Sequence, residues 1–188
     1  GKIRFIRSDV PGFSVEANIE LTETRNCTAL VWKNHSIQTI EHLMASFFLL
    51  GIDSIKVIVD GPEIPAGDGS AAPFIQLLED SGLSELEQSK TIYDIIRPFS
   101  IQNETGTISV FPDTRTRLSY EIAYDHPMIG RQQYSLRGDI RNWIKEIASA
   151  RTFGFLKDVE TLHKRNLACG ASMENTIVLD EKKIVSGD

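Results

Sequence analysis

The stretch Thr39-Ile40-Glu41-His42-Leu43-Met44-Ala45-Ser46-Phe47-Phe48-Leu49-Leu50-Gly51 decides the fold. Leu43, Met44, Phe47, Phe48 and Leu50 recur at helical spacing and make a wide apolar face over Glu41–Leu50. Thr39 stands just ahead of the first turn, where a hydroxyl can cap it, and Gly51 closes the helix. Upstream, Lys2–Arg7 alternates as a short strand. Cys27–Trp32 and Ser36–Thr39 flank the turn residues Lys33-Asn34-His35 and read as a hairpin. Downstream, Ile55–Val59 (IKVIV), apolar except for Lys56, reads as a buried strand. The loop Asp60–Ser70 (DGPEIPAGDGS) follows, and then a second helix over Pro73–Ser81 with Phe74, Leu77 and Leu78 on its apolar face.

A polar, charged stretch without aromatics, Ser84–Lys90, marks a boundary. It divides the chain into residues 1–87 and 88–188. Beyond it the spacing predicts strands at Tyr93–Arg97, Thr107–Phe111, Leu118–Tyr124 and Gln133–Ser135, then a helix at Ile140–Ile147. A turn at Ala150–Gly154, a short helix at Lys157–Lys164 and strands at Thr176–Leu179 and Lys183–Val185 complete the order. Two successive sets of strands and helices predict an α+β fold of two small domains of similar layout, each a sheet packed with helices. Sites favour such interfaces, so the cleft between the two is where an active site is expected.

Composition narrows the function. The chain has 188 residues, 41% of them hydrophobic, which is enough for one ordinary core or two small ones. The formal net charge is -6 and no Lys/Arg cluster stands out, which argues against nucleic acid or an anionic membrane surface as partner. The apolar run Leu43–Ile52 is about half of what spans a bilayer, so no integral membrane segment is expected. The two cysteines, Cys27 and Cys169, lie far apart and read as free thiols in a reducing cytoplasm.

Three segments can carry chemistry. Glu41-His42 opens the first helix; a neutral imidazole is a common zinc ligand, and a carboxylate beside an activated water is a usable general base. An acid in a first turn also complements the helix dipole, and a histidine there is commonly a surface residue. The other histidines, His35, His126 and His163, complete no local site, and there is no HxH, HExxH or CxxC. In the Asp60–Ser70 loop, glycine and proline can simply set the connection, or Asp68 is an acid aimed into a site by the sharp turn at Gly69-Ser70. Ala150–Phe155 (ARTFGF) is either a turn with two core phenylalanines or a hydroxyl donor, Thr152, beside an aromatic wall.

Taken together these segments resemble one family. Thr39–Ala45 resembles the TVEHLMA signature of the LpxC family, the zinc-dependent UDP-(3-O-acyl)-N-acetylglucosamine deacetylases of lipid A biosynthesis. Gly51-Ile52-Asp53, Asp60–Pro65 (DGPEIP), Asp68–Phe74 (DGSAAPF), His126-Pro127 and Ala150–Phe155 resemble its further motifs, in order, and Leu167–Ser172 follows at similar spacing. The resemblance implies hydrolysis of the N-acetyl group of acylated UDP-N-acetylglucosamine, with release of acetate and with Zn2+ as cofactor. It implies Glu41 as general base, His42 as a zinc ligand and Thr152 as a donor to the oxyanion; Asp68, read from its loop, is the further catalytic acid expected at the site. Tyr124 matches an aromatic that stacks on the uracil, and Phe153 and Phe155 match aromatics beside the sugar and acyl chain. Val159, Ala168, Cys169 and Ser172 match an apolar passage for that chain, and Cys27 falls on an insert bordering the site.

The sequence also departs from the family. The HKxxDxxGD motif, whose His and Asp supply the remaining zinc ligands, is absent, as are the final general-acid histidine and the opening GxGLH-type segment. His163-Lys164 has no Asp three residues after the Lys and does not replace that motif. The expectation is an internal fragment of such an enzyme, inactive alone. The alternatives are a natural non-catalytic relative that keeps nucleotide-sugar binding, or an unrelated α+β interaction domain.

Overall fold

A computed structural model describes residues 1–24, 26–164 and 170–186. Its elements are β1 (Ile3–Arg7), β2 (Ser14–Glu16), β3 (Thr22–Thr24), β4 (Thr28–Trp32), β5 (His35–Ile37), α1 (Glu41–Leu50), β6 (Ile55–Val59) and α2 (Ala72–Ser81). Then come β7 (Phe99–Gln102), β8 (Thr107–Val110), β9 (Arg117–Ala123), β10 (Arg131–Arg137), α3 (Ile140–Ile147), β11 (Phe153–Phe155), α4 (Val159–Lys164) and β12 (Ile177–Leu179). Short 3-10 turns at Ile19–Leu21 and Leu156–Asp158 lead into β3 and α4. The class is α+β.

The first half is built around α1. One sheet has the order β2-β1-β6, with β6 parallel to β1, and a second has the antiparallel order β3-β4-β5. Phe5, Phe13, Leu30, Ile37 and Phe47 meet between these sheets and α1 and are essentially fully buried. Each such side chain contributes about 1.5–3 kcal/mol of burial. Gly51, at φ 72°, ends α1: its N–H and that of Ile52 take up the carbonyls of Phe48 and Phe47. A second core joins Leu49 and Leu50 of α1 and Ile75 of α2 to Leu136 of β10 and Trp143 of α3. Trp143 is 1% exposed, and its indole N–H donates to the Arg137 carbonyl at 3.1 Å.

Local pattern places α1, β6 and α3 where the sequence predicts them. Several details differ. Thr39 is not the cap of α1: Ile40 holds that position without a side-chain bond. β6 is covered on one face only: Ile55, Val57 and Val59 pack against the first core, whereas Ile58 on the other face is 63% exposed. On α2, Leu77 points out while Ile75 is the buried residue. Tyr93–Arg97 forms no strand; among the described residues it has no pairing partner, and β-propensity needs a surface to pack on. Lys183–Val185 gives only a bridge between Ile184 and Leu179. Ala150–Gly154 is more than a turn, since Phe153–Phe155 pairs in parallel with Ile177–Leu179. The short strands β2, β3 and β7 carry too little alternation to be seen in the sequence.

Candidate active site

One wall of the site starts at the entry to α1. The Glu41 carboxylate accepts the Thr28 N–H through Oε2 at 2.9 Å, tying the first helical turn to β4. His42 follows on the cavity side. The chain enters this helix through Thr39 at φ 59°, a conformation that costs a β-branched residue about 1–3 kcal/mol. The Thr39 hydroxyl donates to Glu63 Oε1 at 2.8 Å. Backbone bonds from Gln38 N–H to the Pro62 carbonyl and from Ile64 N–H to the Gln38 carbonyl hold Glu63 alongside. Cys27 sits beside this group. Burial pushes its thiol above the usual range, and the Glu41 and Glu63 carboxylates push the same way, against hydrogen bonding with Thr39.

The opposite wall comes from the second half. Thr152 is pinned on both sides of its peptide: its N–H donates to the Gly69 carbonyl at 2.8 Å, and its own carbonyl accepts the Ile177 N–H at 3.0 Å. Gly69 makes this approach possible. It has φ 84°, and a β-carbon there would fall 1.7 Å from the Asn175 carbonyl oxygen. Phe153 and Phe155 stand beside Thr152 with ring centroids 6.1 Å apart in an edge-to-face arrangement. Tyr124 closes the cluster at 5.5 Å from Phe153 and 5.9 Å from Phe155.

The two walls enclose a cavity of about 360 Å3, a size suited to a small molecule. Cys27, Glu41 and His42 line it from the first half; Thr152, Phe153, Phe155, Val159 and Ser172 line it from the second. Ser172 also serves its own loop, accepting the Glu174 N–H on its hydroxyl. Two expected residues stand elsewhere. Asp68 is exposed and does not line the cavity; its Oδ1 accepts the N–H and hydroxyl of Ser70 at 3.0 and 2.7 Å, shaping the turn that delivers Gly69. Tyr124 lines a neighbouring cavity of about 550 Å3 with His126 and Asp180, behind the aromatic wall. Ala168 and Cys169 lie outside the described residues. Glu63 and Met173 also line the cavity; the sole sequence signal for Glu63 is an acid between prolines in the DGPEIP loop, and Met173 carries none.

A zinc ion is not fully provided for by these residues. His42 is the imidazole on the cavity, and no three His, Cys, Asp or Glu side chains cluster to hold a metal among the described residues. Of the nearby acceptors, Glu41 Oε2 and Glu63 Oε1 already accept protein hydrogen bonds. A catalytic zinc takes three protein ligands, so the set present does not fit a complete site.

The geometry defines a class: an α+β protein whose cleft joins an acid–imidazole pair and a hydroxyl to an aromatic and aliphatic lining, suited to an amphiphilic ligand. A family model described as LpxC, UDP-3-O-acyl N-acetylglycosamine deacetylase, matches residues 2–188. The chain belongs to this family. It is 40% identical over 185 residues to a protein of Nautilia profundicola, covering 98% of this chain and 63% of the relative. A Shewanella frigidimarina protein is 41% identical over 189 residues, covering 97% and 61%. One from Campylobacter jejuni is 38% identical over 184 residues, covering 98% and 63%. All three carry the name UDP-3-O-acyl-N-acetylglucosamine deacetylase. The chain thus spans about 63% of the length of the first of these relatives. No helix among the described residues is long and apolar enough to cross a membrane.

Proposed function

We propose that this chain supplies much of the substrate cleft of a cytoplasmic deacetylase that removes the N-acetyl group of UDP-3-O-acyl-N-acetylglucosamine in lipid A biosynthesis. The observation that carries the reading is the meeting of Glu41, His42 and Thr152, from opposite halves of the chain, on one cavity walled by Phe153 and Phe155. Residues 1–87 and 88–188 are proposed as the two lobes that form these walls.

Glu41 is the base. With Oε2 held by the Thr28 amide, the carboxylate is fixed in place, and Oε1 takes the proton of the attacking water. The Thr152 hydroxyl donates to the oxygen that becomes negative when the amide carbonyl is attacked; both backbone groups of Thr152 are already bonded, so the donor needs no reorganisation. Phe153, Phe155 and Val159 take the sugar and acyl portions and exclude water. Tyr124, at the back of the wall, is proposed to meet the uracil. Ala168 and Cys169 are proposed for the acyl passage and Asp68 for shaping the loop beneath the site. His42 is proposed as one zinc ligand of the longer protein. The other ligands implied by the family resemblance are not among the residues of this chain.

The test is acetate release from UDP-3-O-acyl-N-acetylglucosamine by the full-length protein. Glu41→Ala should slow turnover about 10²–10⁴-fold. Turnover unchanged in Glu41→Ala would remove Glu41 from the chemistry. Substrate binding by the wild type with no acetate released would favour the non-catalytic relative instead.

A further inference from the structure

We propose that Thr39 and Glu63 form a latch that positions Glu41 and His42, with the Thr39 hydroxyl held on Glu63 in a strained left-handed turn. The inference rests on the proposed roles of Glu41 and His42, and concerns residues to which the family resemblance assigns no part.

The strain is the first observation. Among described residues other than glycine, positive φ occurs at Asn26, Lys33 and Thr39. Asn26 is a residue type that tolerates this region, and Lys33 lies in the exposed turn of the β4–β5 hairpin. Thr39 is β-branched, which makes φ 59° an outlier of a different kind. A residue stays in such a conformation only when its surroundings over-determine it. Here they do. Gln38, on one side, is fixed by the bridge to Glu63, and the Ile40 N–H, on the other, donates to the Thr28 carbonyl at 3.1 Å. The left-handed residue turns the chain from that bridge through the buried Ile40 into α1, whose first two side chains, Glu41 and His42, face the cavity.

The choice of side chain is the second observation. Glycine would accept this φ without strain, yet threonine is present. Its hydroxyl reaches Glu63 Oε1 at 2.8 Å, and Thr39 and Glu63 both line the cavity with Cys27, Glu41 and His42. The helix start has no side-chain cap of its own, so this bond and the Glu41–Thr28 bond are the side-chain bonds that join the backbone bonds of Gln38 and Ile40 in setting the entry of α1. Strain at this point, kept beside the proposed base, is what a positioning role predicts. A purely structural role would be met as well by glycine.

The experiment separates stability from positioning. In the full-length protein, Thr39→Gly should keep or raise Tm, because the strain is relieved, while kcat falls by about 10–100-fold with KM within a few-fold. Glu63→Ala should lower kcat in the same way. Thr39→Ser and Glu63→Gln keep a donor and an acceptor and should restore most of the rate. A second readout does not need activity: exchange of the Thr28 amide hydrogen, which bonds to Glu41, should speed up at least about tenfold in Thr39→Gly and Glu63→Ala and not in Thr39→Ser. Wild-type kcat together with unchanged Thr28 exchange in Thr39→Gly would overturn the latch. A wild-type protein that releases no acetate would overturn the proposed function, while the amide exchange would still decide the latch.

Discussion

Replacing Gly69 by alanine should separate the two walls of the cleft. The built β-carbon falls 1.7 Å from the Asn175 carbonyl oxygen and 2.9 Å from its carbon, and both belong to backbone that cannot rotate away. Three costs combine. A left-handed alanine costs about 1–2 kcal/mol, forced overpacking about 1–3 kcal/mol, and loosening of the Thr152–Gly69 hydrogen bond about 0.5–1.5 kcal/mol. The total is about 3–6 kcal/mol, which for a chain of this size corresponds to a fall in Tm of roughly 6–24 °C. Gly12 is the internal control: its φ is 80°, but a β-carbon there meets nothing within 4 Å. Gly12→Ala should therefore show the conformational cost alone, about 1–2 kcal/mol. Urea unfolding of the wild type and the two variants measures the difference. A Gly69→Ala variant no less stable than Gly12→Ala would refute the argument that close approach to Asn175 requires glycine.

Three further outcomes follow from the same structure. Burial and two nearby carboxylates keep Cys27 protonated, so its alkylation, followed by peptide mass spectrometry to distinguish it from Cys169, should be slower at neutral pH than that of a free thiol and should accelerate only well into the alkaline range. Arg7 is 8% exposed, donates from Nε to Asp9 Oδ1 at 2.7 Å and from Nη1 to the Ser36 carbonyl at 2.7 Å, and holds the Asp9 carboxyl below the usual carboxylate range. A depressed folded-state pKa means that the stabilisation is present above the unfolded value and is lost as pH falls through the folded one. Asp9→Asn should accordingly be less stable than wild type at neutral pH, with the gap closing below about pH 4; a gap independent of pH would contradict the linkage. The Met128 N–H donates to His126 Nδ1 at 3.2 Å, so the imidazole proton sits on Nε2 and donates to the Asp180 carbonyl at 2.7 Å. Nitrogen NMR of labelled histidine should show that neutral tautomer, and His126→Gln, which keeps a donor at the Nε2 position, should disturb the Tyr124 ring less than His126→Asn.

What the sequence by itself determined was local or linear. The three-and-four spacing of Leu43, Phe47 and Leu50 set α1, and the run Ile55–Val59 set β6, because period is a property of neighbouring residues. The ordered motifs Thr39–Ala45, Asp60–Pro65 and Ala150–Phe155 pointed to the family that the comparisons then matched. Those same motifs named Glu41, His42 and Thr152, but only the tertiary structure set them on one cavity. It also put Tyr124 behind Phe153 and Phe155, and brought Glu63 to Thr39. The burial of Trp143 against Leu49 and Leu50 joined α3 to α1 across the polar stretch Ser84–Lys90. None of these is a matter of spacing. Each depends on backbone hydrogen bonds and packing between residues far apart in the chain, such as Gly69 with Thr152, and a pattern of neighbours carries no record of which distant partners will meet.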